Sequence, residues 1–199
     1  HSVVPAPRTI LTGIRKLPPA TVRTIQPDGR SEEHVYWRPR HVRTPEHAGM
    51  SAQDWRDATL ESLRVAVRRR MVADVPVGVL LSGGLDSSLV VALLAAEGQA
   101  GLKTFSVGFH AAAGESGDEF QYSDIVAEHF ATDHQQILVD PVRMLPAVDH
   151  TIAAMAEPMV SHDCVAFHLL SEEVARSVTA VQSGQGADEV LAGYSWYPP

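Results

Sequence analysis

From residue 77 onwards, short apolar runs alternate with longer stretches whose apolar residues recur every three to four positions. The short runs are 77–82 (VGVLLS), 103–109 (KTFSVGF), 135–139 (QQILV) and 179–183 (TAVQS), each of strand length. Helical periodicity fills the intervals 86–97, 119–131, 143–156 and 162–177. Leu145, Val148, Ile152 and Met155 fall on one helical face, and Ala166, Leu170 and Val174 on another. Strands apolar on both faces and alternating with helices predict an α/β fold: a parallel sheet with helices on both faces. The piece 110–118 (HAAAGESGD) has no periodicity and is expected to be a mobile loop.

The pattern ahead of residue 77 is different. Ser51 and Asp54 have the spacing of a capping box, and Leu60, Leu63, Val67 and Met71 then recur at helical spacing. Arg68, Arg69 and Arg70 fall in the last turn of that helix, where cations suit the helix dipole. Residues 20–37 hold two extended runs around Pro27-Asp28-Gly29, a turn signal that predicts a hairpin. Between hairpin and helix lie prolines and arginines without periodicity. The expected division is therefore 1–38 as the end of another domain, 39–50 as a linker and 51–199 as the α/β unit.

Composition narrows the possible partners. Of 199 residues, 45% are hydrophobic and 20% charged, the balance of an ordinary globular chain. A net charge of -8 disfavours binding to nucleic acid, which needs a basic face. No apolar run is long enough to span a membrane. The single cysteine excludes an internal disulfide and fits a reducing, cytoplasmic compartment. The chain starts at His1 without an initiator Met and stops soon after a glycine-rich loop, so it is expected to be a piece of a longer protein and inactive, or nearly so, alone.

Chemistry concentrates in that loop and in an earlier one. The strand at 77 runs into 82-SGGLDSS-88, and ligands of parallel α/β sheets bind beyond the carboxyl ends of the strands. Gly83 and Gly84 allow a tight turn that presents N–H groups, and a helix starting near Asp86 points its positive end at the same spot. That combination suits a phosphate or pyrophosphate. It is neither a Walker A loop nor a G-x-G-x-x-G turn. An acid in an anion pocket makes sense if Asp86 holds Mg²⁺, bound by carboxylate and phosphate oxygens together. Helix capping alone would not ask for two preceding glycines at a strand end. A second loop, 183-SGQGADEVLAGY-194, again puts glycines and acids at a strand's end, and two such loops at one sheet edge predict a shared site.

The motifs 82-SGGLDSS-88, 104-TFSVGF-109 and 183-SGQGADEVLAGY-194 resemble the asparagine synthetase family of glutamine-dependent amidotransferases, within the PP-loop ATP pyrophosphatases. Their order and spacing match over 52–197, and 13-GIRKLPPA-20 with 36-YWRP-39 look like the end of that family's N-terminal glutaminase domain. The resemblance implies an adenine nucleotide alpha hydrolase-like (PP-loop) fold, preceded by a hairpin remnant of the glutaminase domain. It also implies ATP-dependent adenylation of a small carboxylate or blocked dipeptide substrate, then attack by glutamine-derived ammonia. Carried over by position, Ser82, Gly83, Gly84, Ser87 and Ser88 would hold pyrophosphate, and Asp86 and Asp188 would bind Mg²⁺. Leu80, Val107, Ser183 and Gly184 would line the adenine and ribose pocket. Gln185, also assigned to the catalytic set, stands where asparagine synthetases usually carry Glu, and a neutral amide cannot act as a base. The Gln form, with 157-EPMVSHDCVAFHLLSEEVA-175, resembles the N-acetylglutaminylglutamine amidotransferases, which amidate a blocked dipeptide.

Other constellations carry less. Ser161-His162-Asp163 are adjacent and cannot converge as a triad does in space; Ser161 or Asp163 is expected to start a helix, with His162 facing the substrate. His162, Cys164 and His168 lack the partners of a tetrahedral zinc set. A nucleotide-binding module without catalysis would need the glycines but not both Asp86 and Asp188. A tRNA-modifying PP-loop enzyme would want a basic face, against the charge of -8.

Overall fold

Val79 and Leu81 turn to one side of the sheet and Leu80 to the other, and this alternation organises two helical layers around a central strand. In the computed structural model, which describes residues 4–40, 42–109, 120–157, 161 and 163–197, that strand is β3 (Val77–Leu80). It follows a hairpin of β1 (Thr21–Ile25) and β2 (Ser31–Val35), and helix α1 (Ala52–Arg69). After it come α2 (Leu85–Ala96), β4 (Lys103–Phe109), α3 (Phe120–His129), β5 (Asp133–Val139), α4 (Met144–Ala154), α5 (Asp163–Val174), β6 (Ala180–Gln182) and α6 (Ala187–Leu191). The piece 110–118 and His162 lie outside the described residues.

Strands β3 to β6 form one parallel sheet in the order β5-β4-β3-β6. The chain winds outward from β3 through β4 to β5, then crosses back to put β6 on the other side of β3. On one face Val79 and Leu81 pack with Val67 of α1, Val91, Leu93 and Leu94 of α2 and Ala127 of α3. On the other, Phe105 packs with Leu170 and Val174 of α5, and Val139 with Ala147 of α4 and Val165 and Leu169 of α5. The fold is α/β, a parallel sheet with helices on both faces. Among the described residues no helix is long and apolar enough to cross a membrane.

The hairpin turns where expected. Gly29 takes a φ of +85°, and its N–H and that of Gln26 bond within the turn, to Gln26 C=O and Arg30 C=O. At α1, Asp54 N–H donates to Ser51 Oγ (3.2 Å) while Asp54 Oδ2 accepts from Ser51 N–H (2.8 Å), so the capping box closes both ways. Replacing Ser51 by alanine is expected to lower stability by about 1 kcal/mol in urea unfolding, the usual worth of an N-cap hydroxyl.

Two expectations need correction. The inner face of α4 is Met144, Ala147, Val148 and Thr151; Leu145 is 82% exposed and Ile152 51% exposed. Thr151 can be buried because its hydroxyl donates to Ala147 C=O at 2.8 Å. The strands, moreover, are not uniformly apolar. Thr104 and Ser106 of β4 are fully or almost fully buried. His134 of β5, the register partner of Thr104, bonds both: Nδ1 to Thr104 Oγ1 at 2.8 Å and Nε2 to Ser106 Oγ at 3.1 Å.

Burial holds His134 below the usual histidine range, and Asp124 of α3, 3.7 Å from Nε2, only partly opposes this. As pH falls, the unfolded chain therefore takes up this proton before the folded one does. Stability from this group is complete above about pH 6.5 and is lost as pH falls below that value towards the lowered folded one. The melting temperature is expected to drop between pH 7 and 5.5, and a His134→Gln protein, which cannot titrate there, to show a shallower drop.

Candidate active site

In a doubly wound sheet the strands flanking the reversal diverge at their carboxyl ends and leave a crevice between their loops. Here the reversal lies between β3 and β6, so the loops that follow these two strands, 81–84 and 183–186, face each other. They bound a cleft of about 280 Å³ lined by both loops, by β4 and by α5.

The first loop is shaped by its own hydroxyls. Ser87 Oγ accepts from Ser82 N–H (3.2 Å), donates to Gly84 C=O (3.2 Å) and lies 3.0 Å from Ser82 Oγ. Gly84 is the N-cap of α2 and supplies no capping side chain, so the helix opens with its first-turn N–H groups free of one. The second loop closes on the first. A Cβ at Gly184 would sit 2.9 Å from Asp86 Cβ and 3.1 Å from Ser87 N, so only glycine lets the two loops meet this closely. Gly186 turns the chain at φ +94° into α6, and Gly193 lies so close to the Asp188 carboxylate that any Cβ there would displace it.

Most of the expected site residues converge. Leu80, Ser82, Gly84, Asp86, Ser87, Val107, Ser183, Gly184, Gln185 and Asp188 all line the cleft. Gly83 and Ser88 do not. Gly83, at φ +80°, is pressed against Tyr122 and Ser123 of α3, where a Cβ would come within 2.5 Å of Tyr122 Cβ. Ser88 Oγ is buried inside α2's packing with no hydrogen-bond partner among the described residues. Of the two acids in the second loop, Asp188 lines the cleft, while the exposed Glu189 accepts a hydrogen bond from Tyr194 Oη at 2.9 Å. That bond and burial raise the Tyr194 phenol. Asp163 opens α5 as expected, its N–H donating to Ser161 Oγ at 3.3 Å.

Sequence reasoning missed part of the apolar lining. Phe105, Phe167 and Leu170 line the cleft with Leu80 and Val107, and Phe105 and Leu170 pack with those two in one apolar cluster. Leu170 was readable as an inward position of α5; Phe167, three residues before it on the same side of the helix, is 43% exposed and so gives no burial signal. The β3–β4 ladder closes with Leu81 N–H donating to Phe105 C=O at 2.7 Å. Beyond that bond β3 leaves the sheet while β4 runs on to Phe109, so β4 borders the cleft at Ser106 and Val107 with no strand on that side among the described residues.

Asp86 and Asp188 could hold a metal ion. Among the described residues no group of three or more His, Cys, Asp or Glu forms a metal cage. A cation here would take two carboxylates and complete its shell with ligand oxygens. That donor set fits Mg²⁺ rather than zinc.

A family model described as asparagine synthase matches residues 58–199. The chain is 29% identical over 194 residues to the glutamine-hydrolyzing asparagine synthetase 1 of Bacillus subtilis, covering 98% of this chain and 29% of that protein. It is 38% identical over 130 residues to the putative glutamine-hydrolyzing asparagine synthetase 2 of Methanocaldococcus jannaschii, covering 65% of this chain and 24% of that one. The chain thus spans under a third of the length of these relatives. Among solved structures it is similar to the NH3-dependent NAD synthetase from Campylobacter jejuni, at 17% identity and a TM-score of 0.47, covering 70% of this chain and 60% of that one.

Proposed function

The chain belongs to the asparagine synthase family, and from that premise we propose that it is the ATP-using half of a glutamine-dependent amidotransferase, a ligase that turns a carboxylate into an amide. The observation that carries this is the cleft at the sheet's reversal, where Gly184 seats one loop against Asp86 of the other.

The cleft's mixed apolar and polar lining suits ATP. Leu80, Phe105, Val107, Phe167 and Leu170 offer an apolar slot for the base, and the strandless edge of β4 at Val107 offers backbone groups to its polar rim. Ser183 and Gly184 also line the cleft, Gly184 against Asp86, and would face the ribose. Ser82, Gly84 and Ser87 with the α2 N-terminus face the phosphates, and Gly83 supports them from behind. Asp86 and Asp188 would hold Mg²⁺, which when bound neutralises charge on the departing pyrophosphate.

The reaction follows from the chemistry of a poor electrophile. A carboxylate oxygen bonds to the α-phosphorus of ATP, the α–β bridge breaks and pyrophosphate leaves. Ammonia then adds to the acyl carbon, loses a proton and expels AMP. The first-turn N–H groups of α2 are fixed in place before charge develops, so the site does not have to reorganise to meet it. Residues 1–38 are read as the end of the glutaminase domain that supplies the ammonia, 39–50 as its linker and 51–199 as the synthetase domain.

For the substrate, the neutral Gln185 at the cleft favours N-acetylglutaminylglutamine, a blocked dipeptide, over a small charged amino acid. Aspartate is the second reading, supported by the names of the relatives. Pyrophosphate release by the complete natural polypeptide, given ATP, Mg²⁺ and ammonia, separates them. Release with the dipeptide alone is expected. Release with aspartate alone assigns the protein to asparagine synthesis.

A further inference from the structure

Among the described residues, His134 is a largely buried titratable group, bonded to the cleft-lining Ser106, that the proposed chemistry does not use. Its side chain is 11% exposed, and it stands within a chain of hydrogen bonds: Thr132 Oγ1 to Thr104 Oγ1 (2.8 Å), Thr104 Oγ1 to His134 Nδ1 (2.8 Å) and His134 Nε2 to Ser106 Oγ (3.1 Å). A strand interior needs no such chain for stability. Replacing bonded polar groups by apolar ones of the same shape is close to neutral, whereas a satisfied polar network fixes one arrangement among several.

The network's position gives it a task. At Ser106 and Val107 β4 has lost β3, so its strand neighbour among the described residues is β5, paired with it through Phe109 and Val139. His134 lies opposite Thr104 in that pairing, and its ring reaches diagonally past Thr104 to Ser106, the last residue before Val107. The ring is thus a strut from β5 to the part of β4 that borders the cleft. We propose that His134 is a positioning residue for the nucleotide, acting through Ser106 to fix the β4 edge against which the base lies. The proposal rests on the reading of the cleft as an ATP site.

Asparagine and glutamine test it, because the amide of Asn falls near the position of Nδ1 and that of Gln near Nε2. His134→Asn can keep the bond to Thr104 but not the bond to Ser106; His134→Gln can keep the bond to Ser106. Binding of ATP with Mg²⁺ to the complete natural polypeptide would be measured by calorimetry, alongside the melting temperature at pH 8. His134→Asn and Ser106→Ala are each expected to weaken binding about tenfold, the usual cost of losing a supporting hydrogen bond behind a ligand site. His134→Gln should recover most of that loss, the double variant His134→Asn/Ser106→Ala should be no weaker than either single one, and affinity should not track the melting temperature. The proposal is overturned if His134→Asn binds ATP like the parent, if the two losses add, or if Asn and Gln lose affinity equally in step with stability. A parent that does not bind ATP overturns the nucleotide reading itself, and is seen before any variant is made.

Discussion

Asp86→Asn is expected to cut pyrophosphate release by about a thousandfold while leaving the melting temperature almost unchanged. The side chain is half-buried, lines the cleft and is one of two carboxylates there. Its structural contact is made by Cβ, against Gly184, and asparagine keeps that atom and the shape around it. What asparagine removes is the charge. With Asp188 the remaining carboxylate, the site would hold Mg²⁺ less tightly, and less positive charge would be supplied where pyrophosphate leaves. Steady-state assays with saturating ATP, paired with thermal melting, separate the two effects. Retention of a tenth or more of the parent rate would mean that Asp86 is only a helix-end acid.

Gly83→Ala is expected to destabilise the fold by about 3 kcal/mol or more, mainly by a clash. Gly83 has a φ of +80°, and a Cβ there would lie 2.5 Å from Tyr122 Cβ and 2.6 Å from both Ser123 N and Tyr122 C. Two of these are main-chain atoms of α3, so no rotamer change can make room; the helix or the loop must move. Gly98 is the natural control. It shares the φ of +80° but has nothing within 4 Å of its Cβ position. Gly98→Ala should therefore cost only the conformational penalty, about 1 kcal/mol. Urea unfolding of the two variants measures the difference directly, and equal costs would refute the tight seat of the loop against α3.

The comparison between Gly83 and Gly84 shows what the sequence can and cannot convey. Side by side in SGG, both read as phosphate-loop glycines, yet Gly84 lines the cleft and Gly83 packs against a helix that starts 37 residues later. The motif announces that backbone must approach something closely; only the tertiary arrangement decides what. Strand and helix alternation was legible because apolar periodicity reports burial along each element. The α4 face was not, because periodicity favours large apolar residues such as Leu145 and Ile152, whereas the packed side uses Ala147 and Thr151, small enough to approach α5. Thr104 and Ser106 could not be read as buried, because the group that satisfies them, His134, is 28 to 30 residues away. Most consequential is the strand order: nothing in the local pattern says that β6 returns beside β3, and that return is what brings Asp188 and Gln185 to the same cleft as Asp86.

The most direct test of the account follows oxygen. The complete natural polypeptide would be given ATP, Mg²⁺, ammonia and whichever carboxylate supports pyrophosphate release, with ¹⁸O in the carboxylate, and the phosphorus products analysed by mass spectrometry. Activation by adenylation in this cleft predicts one ¹⁸O atom per AMP formed and none in pyrophosphate. Label appearing in inorganic phosphate, with ADP as the other product, would mean that the carboxylate attacks the γ-phosphorus, and would contradict it.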